Sequence, residues 1–66
     1  MLTNKERLLK AAYAHSEELG KEVEALAQGS ADSERLRRFR ELLNREFGDE
    51  ARLVYETVVS VLFPSS

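Results

Sequence analysis

The sequence predicts a small all-α protein: one domain of three helices over the 66 residues, paired with a second copy as a helical-bundle homodimer. Three observations predict it. Apolar residues from Leu9 onward recur at alternating steps of three and four, the rhythm of a helix packed lengthwise on other helices. Glycine-centred breaks at Gly29 and Gly48 are each followed by residues suited to starting a new helix. The last segment, Leu53 to Phe63, is apolar on more sides than so short a chain can cover.

The first helix is expected from about residue 3 to 28. Thr3-Asn4-Lys5-Glu6 is a capping-box pattern, in which Thr3 and Glu6 satisfy each other's backbone amides. Leu9, Ala12, Ser16, Leu19, Val23 and Leu26 form the apolar stripe, with Leu8 beside it, and Glu6, Lys10, Glu17, Lys21 and Glu24 form the wet face. Run without interruption, such a helix is about 39 Å long at ~1.5 Å per residue. Ser16 lies within the seam, and its hydroxyl is expected to bond back to the carbonyl four residues earlier. Gly20 reads as a tolerated glycine on the flank of the stripe, with a bend or a close backbone approach as the alternative.

Gly29 suits the left-handed end of that helix, and Ser30, Asp32 or Ser33 can cap the next. So short a link favours an antiparallel return. The second helix is expected over residues 32–47, with Leu36, Phe39, Leu43 and Phe47 as its stripe and Leu42 on one shoulder. Gly48 ends it and Asp49 is expected to cap the third, over residues 50–63. Five β-branched residues between Val54 and Val61 favour a strand there. A lone strand would have no partner in an otherwise helical chain, so helix is the reading. Pro64-Ser65-Ser66 stops it and is expected to fray.

Two stripes run along the third helix at 100° per residue. Val54, Thr57, Val58 and Val61 are expected to face the chain's own core. Ala51, Tyr55, Val59 and Leu62, with Phe63 further round, are expected to lack intrachain cover. Tyr55, Val59, Leu62 and Phe63 are therefore the candidate self-association residues. Each is worth ~1.5–3 kcal/mol if buried, against a net stability of only ~3–5 kcal/mol for a domain of this size. There is no Cys, so disulfide and thiolate-zinc reinforcement is excluded, and oligomerisation is the stabilising route left open.

Six arginines, Arg35, Arg37, Arg38, Arg40, Arg45 and Arg52, are the most prominent polar feature. Glu34–Arg38 and Glu41–Arg45 have the favourable i,i+4 order and are expected to pair within the helix. Arg37, Arg38 and Arg40 are the least neutralised, and so are the candidate partner-binding residues. Ten Lys plus Arg against twelve Asp plus Glu give a net charge of −2, which argues against nucleic acid or anionic lipid as the main partner. Lys5 to Ala12 resembles the first helix of TetR-type repressors, a likeness that would imply DNA binding. The later helices lack the turn and the polar recognition helix that this requires.

No catalytic, cofactor or metal site is expected. His15 reads as a packed or half-exposed surface histidine, with only Glu18 and Glu22 as local carboxylates, and no phosphate loop or Ser/His/Asp set is present. The N-terminus is charged within a few residues and lacks the apolar core of a signal peptide. The longest nearly uncharged run, residues 57–66, is short of the ~20 residues a bilayer needs. The expectation is a cytoplasmic, non-enzymatic interaction module that regulates, inhibits or adapts a larger protein. The alternative is a dimeric nucleic-acid-binding regulator using the Arg-rich second helix.

Overall fold

The structure, a computed structural model, describes residues 2–29 and 32–64. All secondary structure among them is helical: α1 over Asn4–His15, α2 over Glu17–Ala27, α3 over Ser33–Phe47 and α4 over Ala51–Leu62, with a 3₁₀ turn over Gly48–Glu50. Each of the three expected helical segments is present, but the first is divided in two.

That division corrects the expectation of one helix over residues 3–28. Thr3 and Glu6 form the capping box that opens α1, with Thr3 N–H donating to Glu6 Oε1 at 2.9 Å and Glu6 N–H to Thr3 Oγ1 at 3.1 Å. The chain then turns sharply at Ser16, whose backbone is extended at φ −164° and ψ 152°. The Ser16 N–H donates to the Ala12 carbonyl, its hydroxyl accepts from the Leu19 N–H at 3.1 Å, and its carbonyl accepts from the Gly20 N–H at 3.0 Å. One residue thus ends α1 and caps α2. The hydroxyl caps forward, whereas bonding back along the helix was expected.

Gly20 decides how tightly the elbow closes. It is buried, and a Cβ there would overlap the Tyr13 ring more closely than carbon atoms can approach. The Tyr13 hydroxyl reaches on to donate to Glu24 Oε1 at 2.5 Å. In an unbroken helix residues 13 and 24 would lie about 16 Å apart along the axis. The close-approach reading of Gly20 is the correct one, and the tolerated-flank reading is not. An unbroken helix over residues 4–27 would also measure about 36 Å, more than the molecule's longest dimension of 31 Å.

The other boundaries follow local chemistry. Gly29 takes φ +97° after α2, as expected, and Asp32 caps α3 by accepting from the Arg35 N–H at 2.8 Å. The Ser30 alternative lies outside the described residues. Gly48, at φ +60°, ends α3. Asp49 is not the cap foreseen for the next helix: it lies within the 3₁₀ turn, and α4 starts with no side-chain cap bond. The α4 helix prevails over its β-branched content, and it stops before Pro64, which disfavours helical backbone at the residue ahead of it. Of the Pro64-Ser65-Ser66 tail expected to fray, Ser65 and Ser66 lie outside the described residues.

All four helices share one core. Phe39, Leu26, Leu43 and Val23 are fully enclosed, and Ala12, Leu19, Leu42, Ala51 and Val58 complete the buried set. Leu8, Leu9, Leu36, Phe47, Val54, Tyr55 and Leu62 pack around it, half-buried. Cross-helix pairs set the directions. Glu18 with Arg45 and Glu22 with Arg35 run α2 antiparallel to α3, and the three-residue turn at Gly48–Glu50 together with Phe39 against Tyr55 brings α4 back along α3. His15 stacks on Phe47, with ring centroids 4.6 Å apart, and places Nε2 3.3 Å from Glu46, joining the end of α1 to the end of α3.

Candidate interaction surface

α4 meets the core through Ala51, Tyr55, Val58 and Leu62, spaced i, i+4, i+7, i+11, with Val54 alongside. This arc takes members of both stripes read from the sequence. The α1–α2 elbow supplies the additional cover, because folding back lays α1 against α4. Leu62 and Tyr55 pack against the chain's own core, Tyr55 against Phe39 of α3, although a partner had been expected to cover them.

What stays open on α4 divides between two flanks. On one, Tyr55, Val59 and Phe63 follow at i, i+4, i+8. Tyr55 and Val59 are half-buried, and Phe63, past the last helical turn, is 41% exposed. Leu53, on the far side from the core, is 64% exposed, the largest value among the large apolar side chains of the described residues. No stripe read from the sequence contained Leu53. Its position about 200° from Ala51 on the helical wheel is the signal that could have found it. Thr57 beside it donates its hydroxyl to the Leu53 carbonyl at 2.9 Å, so its polar atom is already used within the helix.

Tyr55 also links α4 to the arginine-bearing helix. Its ring meets Phe39 at a centroid distance of 6.1 Å and a tilt of 38°, and the Arg40 guanidinium carbon lies 5.6 Å from its centroid. Beside this contact an open groove of about 530 Å³ runs between α3 and α4, with Arg40, Asn44, Tyr55, Arg52 and Glu56 in its walls.

The candidate arginines do not share a face. Arg40 turns toward α4, and Arg37, one turn earlier, is exposed. Arg38 lines the groove toward α2, among Glu18, Glu22, Glu41 and Arg45. Neither Arg37 nor Arg38 has an ion-pair partner among the described residues. The expected Glu34–Arg38 and Glu41–Arg45 pairs are not formed. Arg45 instead crosses to Glu18 at 2.6 Å, Arg35 reaches Glu22 at 3.6 Å, and Arg52 pairs with Glu56 at 3.4 Å. The Arg35–Glu22 contact is too long for a hydrogen bond, which leaves the buried Glu22 Oε1 held by charge alone. Such exposed or half-exposed pairs orient helices more than they stabilise them.

His15 is 39% exposed, with Phe47 and Glu46 as its neighbours in place of Glu18 or Glu22. Two titrations are displaced. The Thr3 amide, then the Thr3 hydroxyl, hold the Glu6 carboxyl below its ordinary 4.5. The hydrogen bond to Glu24, with some desolvation, pushes the Tyr13 hydroxyl above its ordinary 10.0. Among the described residues no group of three or more His, Cys, Asp or Glu is placed to hold a metal ion, and no helix is long and apolar enough to cross a membrane.

Comparison with protein-family models, with curated proteins and with solved structures finds no match to this chain.

Proposed function

We propose that this chain is a small, non-enzymatic protein–protein interaction module that self-associates along one flank of α4 and acts as a regulator, inhibitor or adaptor of a larger protein. The observation that carries the reading is the Tyr55–Val59–Phe63 row, three apolar side chains at one-turn spacing that the core covers less toward the C-terminal end. A row of this kind suits helix-to-helix or helix-in-groove docking, with apolar anchors inside and a charged rim outside. Arg40, over the Tyr55 ring, borders it on α3 and supplies the rim, and Arg37 is exposed one turn earlier on that helix. Leu62 packs against the core, and Arg38 lines the groove on the α2 side of α3.

Sedimentation equilibrium over a wide concentration range tests the self-association. A mass of twice the 7.5 kDa chain, falling to 7.5 kDa in Val59→Glu or Phe63→Glu, is the expected result. A parent protein that stays at 7.5 kDa throughout would remove it.

The second reading, a nucleic-acid-binding regulator, is favoured by the lack of ion-pair partners at Arg37 and Arg38. Salt-sensitive retardation of DNA or RNA that is lost in Arg37→Ala/Arg38→Ala would establish it over the protein-binding reading.

A further inference from the structure

We propose that α1 is an exchangeable arm: the Ser16 elbow opens, α1 and α2 merge into one straight helix, and α1 docks onto a second copy of the chain in the seat it leaves empty on its own. This route to a dimer differs from pairing along the α4 flank and does not depend on it.

The apolar rhythm Leu9, Ala12, Ser16, Leu19, Val23, Leu26 runs through the elbow without a change of phase. The sequence at the break therefore remains compatible with continuous helix. Sharp helix bends ordinarily sit at proline or glycine, and the break here falls at Ser16, between His15 and Glu17. The elbow forgoes three helical backbone bonds, those of the amides of residues 17–19, and replaces one of them with the Ser16 hydroxyl. Straightening restores all three. What holds the elbow closed is the docking of Leu8, Leu9 and Ala12 into the core and the Tyr13–Glu24 contact over Gly20. A second copy offers the same seat and the same contacts. Exchange thus costs little beyond association itself, the condition under which identical elements swap between chains.

Two substitutions act on the elbow in opposite directions. Ser16→Ala removes the cap used only in the bent form and favours the straight helix by roughly tenfold per chain. Glu17→Pro does the reverse. Proline suits the first position of α2, and it pushes residue 16 toward the extended backbone that Ser16 already has. Within a straight helix the same proline would be disruptive.

The readout is a short bifunctional thiol cross-linker applied to Tyr13→Cys/Glu24→Cys, in a chain with no cysteine of its own. The native contact between these positions makes the cross-link intrachain in the bent monomer and interchain in the exchanged dimer. Combined with Ser16→Ala, the pair is expected to yield covalent dimers of twice 7.5 kDa on denaturing electrophoresis. Combined with Glu17→Pro, it is expected to yield only intrachain product from a helical protein. Cross-linked monomers from a native dimer would assign dimerisation to the α4 flank and overturn the exchange. A Ser16→Ala protein that stays monomeric and helical would overturn it as well. Should Ser16→Ala fail to fold, the protein with the native elbow and its Glu17→Pro counterpart decide at high concentration. Interchain product lost on adding the proline supports exchange, and equal product or none refutes it.

Discussion

Replacing Gly20 with alanine separates local propensity from tertiary contact. Gly20 lies inside α2 with ordinary helical backbone, so propensity alone predicts that Ala stabilises the helix by about 1 kcal/mol. The structure opposes this. The new Cβ would meet three atoms of the Tyr13 ring, an overlap too deep for small adjustments to relieve, so the ring must swing away from the elbow. Forcing an extra carbon into a packed site costs about 1–3 kcal/mol. The net expectation is destabilisation by about 1 kcal/mol, near a 4–8 °C fall in Tm for a chain of this size. Thermal and urea denaturation followed by helical circular dichroism would measure it. The decisive comparison is the double-mutant cycle. In a Tyr13→Ala background the obstacle is gone, and Gly20→Ala should become stabilising by about 1 kcal/mol. A Gly20→Ala protein more stable than the parent, or the same effect in both backgrounds, would show that Tyr13 does not pack on Gly20 and that the elbow is held in another way.

Two further outcomes follow from local geometry and titration. Gly48→Ala should cost about 1–3 kcal/mol in denaturant unfolding through backbone strain alone, because φ is +60° there and no neighbouring atom lies where the Cβ would go. A neutral result would mean that the α3–α4 turn does not need glycine. The Tyr13 hydroxyl is held above its ordinary 10.0, chiefly by donating to Glu24. Its contribution is therefore complete below about pH 10 and is lost as pH rises through the raised folded-state value. The stability advantage of the parent over Tyr13→Phe should stay constant from pH 7 to 9 and shrink above pH 10. An advantage unchanged at pH 11 would rule out the Tyr13–Glu24 bond as its source.

Helical class, the capping box at Thr3 and Glu6 and the stops at Gly29 and Gly48 were legible in the sequence, and Asp32 was one of three candidate caps. Each is a short-range requirement, met by one residue type within a few positions. Phe39, Leu43, Val23 and Leu26 were legible as core for a similar reason, since a stripe at helical spacing has to be buried somewhere. The arginine pairs were misread because i,i+4 geometry offers Arg45 a partner within its own helix, whereas the antiparallel packing of α2 brings Glu18 to 2.6 Å.

The surplus of apolar surface on the last helix was visible in the residues themselves. How much of it remains open depended on the elbow at Ser16, where the rhythm continues unbroken and local rules favour one long helix. Tertiary packing decided otherwise: bending gives up backbone hydrogen bonds that water or a serine hydroxyl can replace, and it brings Leu8, Leu9 and Ala12 into the core that α4 shares. Leu62 and Tyr55 pack against that shared core, Tyr55 through Phe39 and Arg40 of α3. The unforeseen Leu53 on α4 and Phe63 just past its end stay exposed, and Val59 and Val61 stay half-buried.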